Sequence, residues 1–145
     1  MKTIRQILQA KTKPLVHVAP DDTVYDALNL MAKHDVGAVL VLDGTRMVGI
    51  FSERDYARKL ALQCKASKET KVRDIMTEKV FYITPEQTVD QCMAIMTEKR
   101  FRHLPVLDRE ERVIGLVSIG DMVHATISEQ QFIIEQLEHY IPGGR

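Results

Sequence analysis

The chain contains two copies of one sequence pattern. Pro20-Asp-Asp-Thr-Val24 returns 65 residues later as Pro85-Glu-Gln-Thr-Val89. Val48-Gly49-Ile50-Phe51-Ser52-Glu-Arg-Asp55 likewise returns as Ile114-Gly115-Leu116-Val117-Ser118-Ile-Gly-Asp121. We expect two such copies to face each other across a pseudo-twofold axis. An axis of this kind creates paired crevices, and small ligands bind in crevices.

Each copy is expected to fold as β-α-β-β-α after a short helical lead-in. The lead-ins are residues 4–8 and 72–76, and the first copy then carries about three extra residues around 11–13. Extended segments follow at 15–18 and 80–83. Apolar residues spaced i, i+3, i+4 and i+7 then predict helices that begin at Val24 and Val89. Thr23 with Asp26 and Thr88 with Gln91 read as capping boxes at these helix starts.

The remaining strands are predicted from short apolar runs. They cover residues 38–42 and 47–51 in the first copy, and 104–107 and 113–117 in the second. Ser52 and Ser118 are expected to begin the last helix of each copy. The predicted domains are therefore 4–62, 72–128 and a helical tail at 129–145. The fold class is α+β, with the two units packed by their sheets.

Composition excludes several functional classes. The 145 residues include 20 basic and 20 acidic side chains, and this balance argues against bulk nucleic-acid binding. No apolar run reaches the roughly 20 residues of a membrane helix, and no signal peptide is evident. Cys64 and Cys92 form no CxxC pair, which favours reduced thiols and a cytoplasmic location.

Patterns for catalysis or metal binding are also missing from the sequence. The five histidines show no metal-ligand spacing, and the chain contains neither a G-x-S-x-G elbow nor a P-loop. We therefore expect no enzyme activity, no catalytic cofactor and no metal site.

The strongest candidate for ligand chemistry is the repeated Ser-x-x-Asp. Ser52 with Asp55, and Ser118 with Asp121, each stand on the first turn of a helix after a Gly-containing strand. A carboxylate there can accept both hydroxyl donors of a cis-diol such as ribose. The alternative is that each tetrapeptide is only another capping box.

The order and spacing of these motifs resemble a tandem pair of CBS domains, called a Bateman module. The resemblance rests on Pro-x-x-Thr-Val, the helix, the strand segments that begin at Val36 and Phe101, and Gly-x-x-Ser-x-x-Asp, all met twice. It extends over nearly all of residues 4–127. It implies a regulatory sensor that binds AMP, ADP, ATP, NAD or S-adenosylmethionine between the repeats.

The resemblance also implies roles for individual residues. Ser52, Arg54, Asp55, Ser118 and Asp121 would contact ribose or phosphate, and Arg102 and His103 would contact phosphate. The adenine pocket would be formed by Leu15, Val16, His17, Val18, Gly37, Ala38, Val39, Val80, Phe81, Tyr82, Leu104 and Pro105. Because Gly37 and Ala38 replace Arg102 and His103 in the first copy, the two crevices are expected to differ.

Such modules usually pair, so we expect a homodimer that signals to an unidentified protein target. Two other functions stay open at this point. One is a structural or dimerisation module whose crevices are filled by side chains such as Phe51 or Tyr82. The other is a nucleic-acid binder that uses Lys99, Arg100 and Arg102.

Overall fold

Each repeat forms a small sheet flanked by helices. The computed structural model describes residues 2–12 and 14–128, so the tail predicted at 129–145 lies outside the described residues. The helices in the described residues are α1 (Ile4–Ala10), α2 (Val24–His34), α3 (Glu53–Asp55), α4 (Val89–Lys99) and α5 (Ile119–Ser128). The strands there are β1 (His17–Val18), β2 (Ala38–Asp43), β3 (Arg46–Ser52), β4 (His103–Leu107) and β5 (Val113–Ser118). The α+β prediction is confirmed.

The two sheets differ in their first strand. β1 pairs with β2 in parallel and β2 pairs with β3 in antiparallel, whereas the second sheet contains only the antiparallel pair β4 and β5. The strand predicted at 80–83 is wrong except at Ile83, which forms one parallel bridge to Val106. In the first repeat the Leu40 amide donates to the Val16 carbonyl. The equivalent residue in the second repeat is Pro105, which has no N–H to donate.

The helices α2 and α4 occupy equivalent positions and begin at equivalent caps. The Thr23 hydroxyl accepts from the Asp26 amide at 3.1 Å, and the Thr88 hydroxyl accepts from the Gln91 amide at 3.1 Å. The Gln91 side chain also accepts from the Thr88 amide, which completes the predicted capping box. Thr23 caps its helix without this return bond, so the capping box predicted there is incomplete.

The two lead-ins are exchanged between the repeats. Ile4 and Ile7 of α1 are buried in the hydrophobic core of the second repeat, and Val72 and Ile75 are buried in the core of the first. The second lead-in is a 3-10 turn at Val72–Asp74 rather than the predicted helix. Because each core is completed by a segment of the other copy, the two repeats fold as one unit with a seam between them.

The helix after β3 is irregular. After the short α3 it widens into a π-helix at Tyr56–Leu60 and ends as a 3-10 turn at Ala61–Gln63. Helix α5, at the equivalent place in the second repeat, is a regular α-helix. π-helical turns in proteins often mark functional sites, and this one adjoins the first Ser-x-x-Asp.

Candidate functional site: two crevices at the seam

The first crevice, called crevice A, is a cavity of about 380 Å³ between the β3–α3 junction and the second repeat. The predicted site residues that line it are Gly37, Ser52, Arg54, Asp55, Val80, Phe81, Arg102, His103 and Leu104. The residues of the first repeat that were predicted to contact ribose therefore lie opposite residues of the second repeat that were predicted to contact the base and the phosphate.

The carboxylate of crevice A is nearly buried and fully hydrogen-bonded. The side chain of Asp55 is 9% exposed. Its Oδ2 accepts from the Ser52 amide at 3.0 Å and the Ser52 hydroxyl at 3.1 Å. Its Oδ1 accepts from the Thr77 hydroxyl and pairs with Lys59 Nζ, both at 3.0 Å. Ser52 and Asp55 thus form a capping box, and the same carboxylate forms part of the crevice wall.

Basic side chains dominate the lining of crevice A. Among the described residues, Glu53 and Asp55 are its acidic members, and its six basic members are Arg54, Arg58, Lys59, Lys79, Arg100 and Arg102. Arg54 also donates to the Arg100 carbonyl at 3.4 Å, which links the first repeat to the end of α4. Arginine and lysine in excess over carboxylates suit a ligand that carries phosphate.

The apolar wall of crevice A includes two aromatic rings. Phe81 is 42% exposed, and its ring centroid lies 6.3 Å from that of Phe101. Lys99 Nζ lies 5.3 Å from the centre of the Phe81 ring. An exposed ring beside a basic cavity can stack on a flat heterocycle such as a purine.

The second crevice, called crevice B, lies between the first lead-in, β2 and the β5–α5 junction. It has a polar chamber of about 680 Å³ and an adjoining slot of about 120 Å³, which share Lys11, Val36, Ala38 and Leu116. The predicted site residues lining its two parts are Leu15, Val16, Gly37, Ala38, His103, Ser118 and Asp121.

The carboxylate of crevice B is held differently. Asp121 Oδ2 accepts from the Ser118 amide at 2.8 Å and from Lys11 Nζ at 2.9 Å. Lys11 Nζ also donates to the Leu116 carbonyl at 2.9 Å. Ser118 caps α5 by accepting from the Asp121 amide at 3.1 Å. The side chain of Asp121 is 23% exposed, more than twice the value for Asp55.

Lys11 takes the place that Thr77 has in crevice A. The Thr77 main chain exchanges two hydrogen bonds with Ile50, at 3.0 and 2.9 Å, and its hydroxyl holds Asp55. Leu116 is equivalent to Ile50, and its carbonyl is bound by the Lys11 ammonium instead. The Lys11 side chain thus lies where the other crevice has a peptide group.

His103 and Gly37 line both crevices. Burial lowers the pKa of His103 below its ordinary value; the Asp121 carboxylate acts to raise this pKa, and Lys11 and Arg102 act to lower it. The imidazole is therefore neutral at pH 7. A Cβ on Gly37 would lie 3.0 Å from Glu53 Oε1 and 3.4 Å from the His103 ring, so glycine keeps this dividing wall thin.

Five residues predicted for the adenine pocket lie outside the cavity walls. Val18 and Val39 are buried in the core of the first repeat and Pro105 is buried in β4, while His17 and Tyr82 are exposed. Strand side chains alternate between faces, so only some residues of each predicted stretch can reach the seam.

Several residues of the crevices were missed by sequence reasoning. Lys59 lies four residues after Asp55, and this spacing of opposite charges on a helix could have revealed it. No such local signal marks Lys11, Thr77, Arg58 or Lys79, and Arg100 was considered only for nucleic-acid binding. Within residues 2–12 and 14–128, no group of three or more His, Cys, Asp or Glu is placed to hold a metal ion.

Comparison with known proteins identifies the family. The sequence model of the CBS domain matches residues 4–62 and 72–128. The chain belongs to the CBS-domain family. It is 42% identical to the CBS domain-containing protein CBSX3, mitochondrial, of Arabidopsis thaliana, over 98% of this chain and 73% of that protein.

Solved structures of other CBS proteins share the fold. A putative signal-transduction protein with CBS domains from Burkholderia ambifaria is 53% identical, with a TM-score of 0.86 over 90% of this chain and 98% of that chain. CBSX2, whose crystal structure is a complex with AMP, is 25% identical, with a TM-score of 0.73 over 90% of this chain and 99% of that chain. Both are CBS-domain proteins, as the resemblance predicted.

Among the described residues no helix has the length and apolar character required to cross a membrane.

Proposed function

We propose that this protein is a regulatory sensor that binds an adenosine nucleotide reversibly at the seam, with the phosphates in crevice A, and passes the signal to a partner protein. A pair of CBS domains is generally a regulatory unit rather than a catalytic one. The relative CBSX2 binds AMP, which supports an adenosine-type ligand here.

The observation that carries this proposal is the composition of crevice A. A cavity of about 380 Å³ combines an Asp carboxylate, an exposed aromatic ring and six basic side chains against two acidic ones. These groups match a ribose diol, a purine and phosphate respectively. Phosphate number is then a natural means of discrimination, since each added phosphate requires more positive charge. NAD would need room for its second half.

A ribose at Asp55 requires an exchange of partners. Both oxygens of Asp55 are already in use, so a diol must displace a donor. Lys59 is the candidate, because its side chain is 43% exposed and can turn to solvent from the π-helical segment. Once it leaves Asp55, its ammonium can pair with a phosphate of the same ligand. The diol would thus replace the lysine as a partner of Asp55, and the phosphate would replace Asp55 as the partner of the lysine.

Ligand binding in crevice A would bias the relative position of the repeats. Asp55 and Arg54 belong to the first repeat, whereas Phe81 and Arg102 belong to the second. A ligand that bridges both walls stabilises the arrangement in which the walls are correctly spaced. Because the lead-ins are exchanged, a shift at the seam would also reach both hydrophobic cores.

The test is a ligand panel on the full chain. Thermal unfolding and calorimetry are measured with AMP, ADP, ATP, NAD and S-adenosylmethionine. A ligand at 100 times its Kd should stabilise the fold by about 2.7 kcal/mol. Arg102→Ala should weaken phosphate-bearing ligands, and Asp55→Asn should weaken all ligands that present a ribose. Arg109→Ala, at an exposed arginine outside both crevices, is the control.

Absence of any saturable binding would favour the structural module instead. The expected sign of that function was crevices filled by Phe51 or Tyr82. Phe51 is buried in the core of the first repeat and Tyr82 is exposed, and neither lines a crevice. Salt-sensitive binding of an oligonucleotide would instead favour the nucleic-acid alternative.

The homodimer, the protein target and the cytoplasmic location stay predictions. Sedimentation velocity with and without nucleotide measures the first. Affinity capture from the native host in both ligand states, followed by direct binding of purified candidates, tests the second.

A further inference from the structure

Resting on the function proposed above, we propose that Lys59 is the residue that determines which adenosine ligands crevice A binds. Its ion pair with Asp55 competes with a ribose for the same carboxylate. The crevice therefore selects ligands that carry a phosphate and discriminates against the free nucleoside.

Each oxygen of the Asp55 carboxylate already has two partners among the described residues. Oδ2 accepts from the amide and the hydroxyl of Ser52. Oδ1 accepts from the Thr77 hydroxyl and pairs with Lys59 Nζ. Because a carboxylate oxygen has two lone-pair sites, a diol can bind here only if one of these partners leaves.

Most of these partners are held in place by the main chain. The Ser52 amide and hydroxyl belong to the cap of α3. The Thr77 main chain exchanges two hydrogen bonds with Ile50, at 3.0 and 2.9 Å, and this keeps the Thr77 side chain beside Asp55. Lys59 differs, because its ammonium is carried on a flexible four-carbon stem and its side chain is 43% exposed. It is therefore the partner that a ribose displaces with the least change in structure.

A free nucleoside cannot replace the charge that Asp55 loses in this exchange. Lys59 is the cation that pairs with Asp55 in the described part of the chain, and the Asp55 side chain is only 9% exposed. Two ribose hydroxyls restore hydrogen bonds but bring no positive charge, so a nearly buried carboxylate is left without its counter-ion. The displaced ammonium gains only water. Adenosine binding is therefore weakened by the free energy of the broken ion pair.

A phosphorylated ligand gives the displaced lysine a new partner. The phosphate of a 5′-nucleotide is attached to the same ribose that reaches Asp55, so it lies within reach of the Lys59 stem. The resulting ammonium–phosphate contact is charge-assisted, and Arg102 lines the same cavity. The cost of the exchange is offset for AMP and is not offset for adenosine.

Arg58 offers a matched control for the loss of one positive charge. It precedes Lys59 in the same π-helical segment and lines the same crevice. Unlike Lys59, it makes no hydrogen bond or ion pair with Asp55 within residues 2–12 and 14–128. Loss of either cation should weaken phosphate binding, but only loss of Lys59 removes a competitor of the ribose.

The experiment measures adenosine and AMP, which differ by one phosphate, on the full chain by calorimetry. The parent should bind AMP at least about 10-fold more tightly than adenosine. Lys59→Met, which keeps the apolar stem and removes the ammonium, should raise adenosine affinity by about 5-fold and lower AMP affinity by about 5-fold. Arg58→Met should lower AMP affinity but should not raise adenosine affinity. Damage to the fold would instead weaken both ligands together.

Phe81→Ala assigns the binding to crevice A. Phe81 lines crevice A and neither part of crevice B, so loss of its ring should weaken both ligands if they bind in crevice A. Arg109→Ala, outside both crevices, should change neither affinity.

The outcomes separate this inference from the proposed function. If the parent binds adenosine in crevice A as tightly as AMP, or if Lys59→Met fails to raise adenosine affinity, the inference is overturned while nucleotide binding in crevice A stands. If neither ligand binds with sensitivity to Phe81→Ala, both the inference and the phosphate site of crevice A fail. Should Lys59→Met unfold, Lys59→Gln must shift the preference in the same direction, and Lys59→Arg must keep the preference for AMP.

Discussion

Crevices A and B each contain a Ser-x-x-Asp motif, and they hold its carboxylate in different ways. The side chain of Asp55 is 9% exposed, and it accepts hydrogen bonds from Ser52 of its own repeat and from Thr77, which follows the second lead-in. Asp121 is 23% exposed, and its long-range partner is the Lys11 ammonium. In both crevices the carboxylate takes part in a helix cap and also lines the crevice wall. The helix cap uses the carboxylate locally, and the same carboxylate also contacts groups across the seam, Thr77 in crevice A and Lys11 in crevice B.

The comparison shows how two copies of one motif come to hold the same carboxylate in different surroundings. The elements around both crevices occur in the same order in the two repeats, and differences near the crevices include those at the lead-in, at the end of the first helix and in the helix after the last strand. In crevice B the Lys11 ammonium binds the Leu116 carbonyl, where crevice A has the main-chain pair of Thr77 and Ile50. Asp35 stands at the helix end where the other repeat has Arg100. A few side chains at the seam change which charged groups line a crevice, because the electrostatics of a cavity depend on its lining and not on the fold.

The largest expected difference between the crevices is in stability. Asp55→Ala should lower the free energy of unfolding by about 2–4 kcal/mol, since it leaves buried donors without their acceptor. Asp121→Ala should cost about 1 kcal/mol, because its partners can reach water. Chemical denaturation of both variants measures the two losses. Equal losses would contradict the view that the two carboxylates contribute differently to the free energy of unfolding.

A second comparison uses the equivalent glycines of β3 and β5. A Cβ on Gly49 would lie 2.7 Å from Met76 Sδ and 2.9 Å from the Thr77 carbonyl, which is backbone. The three nearest atoms to a Cβ on Gly115 would all belong to the Leu8 side chain, with 2.5 Å to Cδ2. Gly49→Ala should therefore destabilise by about 1–3 kcal/mol, and Gly115→Ala by less, because Leu8 can change rotamer.

Thermal unfolding of the two alanine variants checks this order, and nucleotide binding by Gly49→Ala adds a second measurement. Displacement of Thr77 should also disturb Asp55 and weaken binding in crevice A. A larger loss for Gly115→Ala would show that the first lead-in packs more rigidly than the second.

The third prediction concerns phosphate in crevice A. Arg102→Ala should weaken ATP binding by about 10-fold, equivalent to roughly 1.4 kcal/mol, because it removes one charge-assisted contact. Arg109→Ala should leave ATP affinity unchanged. Calorimetry in low and high salt measures both. If Arg102→Ala binds ATP as the parent does, phosphate recognition lies elsewhere in the basic lining.

The smallest expected effect comes from His103 on the shared wall. Its pKa is lowered from 6.5 in the folded protein, chiefly by burial. As the pH falls below 6.5, the unfolded chain binds a proton that the folded chain does not yet bind. Stability should therefore fall with decreasing pH in this window, by at most about 1.4 kcal/mol per pH unit from this group.

His103→Gln should remove that part of the pH dependence, whereas His17→Gln, at an exposed position outside the crevices, should keep it. Urea denaturation between pH 5 and 8 measures the slopes. A bound nucleotide should reduce the slope of the parent, because a nearby phosphate favours the protonated imidazole.

Local pattern was enough to predict most of the secondary structure. The stripes that begin at Val24 and Val89 are helices, and their threonine caps are in place. Errors occurred where a single backbone group changes the outcome. Pro105 cannot donate the hydrogen bond that Leu40 donates, so the segment at 80–83 is not a full strand.

The repeat, the helix and strand segments and the Ser-x-x-Asp pairs follow from the amino-acid order alone, because periodicity and capping involve residues within a few positions of each other. Only the tertiary structure decided the exchange of the lead-ins, the Lys11–Asp121 ion pair and the gathering of four further cations beside Arg54 and Arg102 in crevice A. Lys11 and Asp121 are 110 residues apart in sequence. Contacts of that range are set by how two cores pack, and side-chain packing leaves no periodic signal to read in advance.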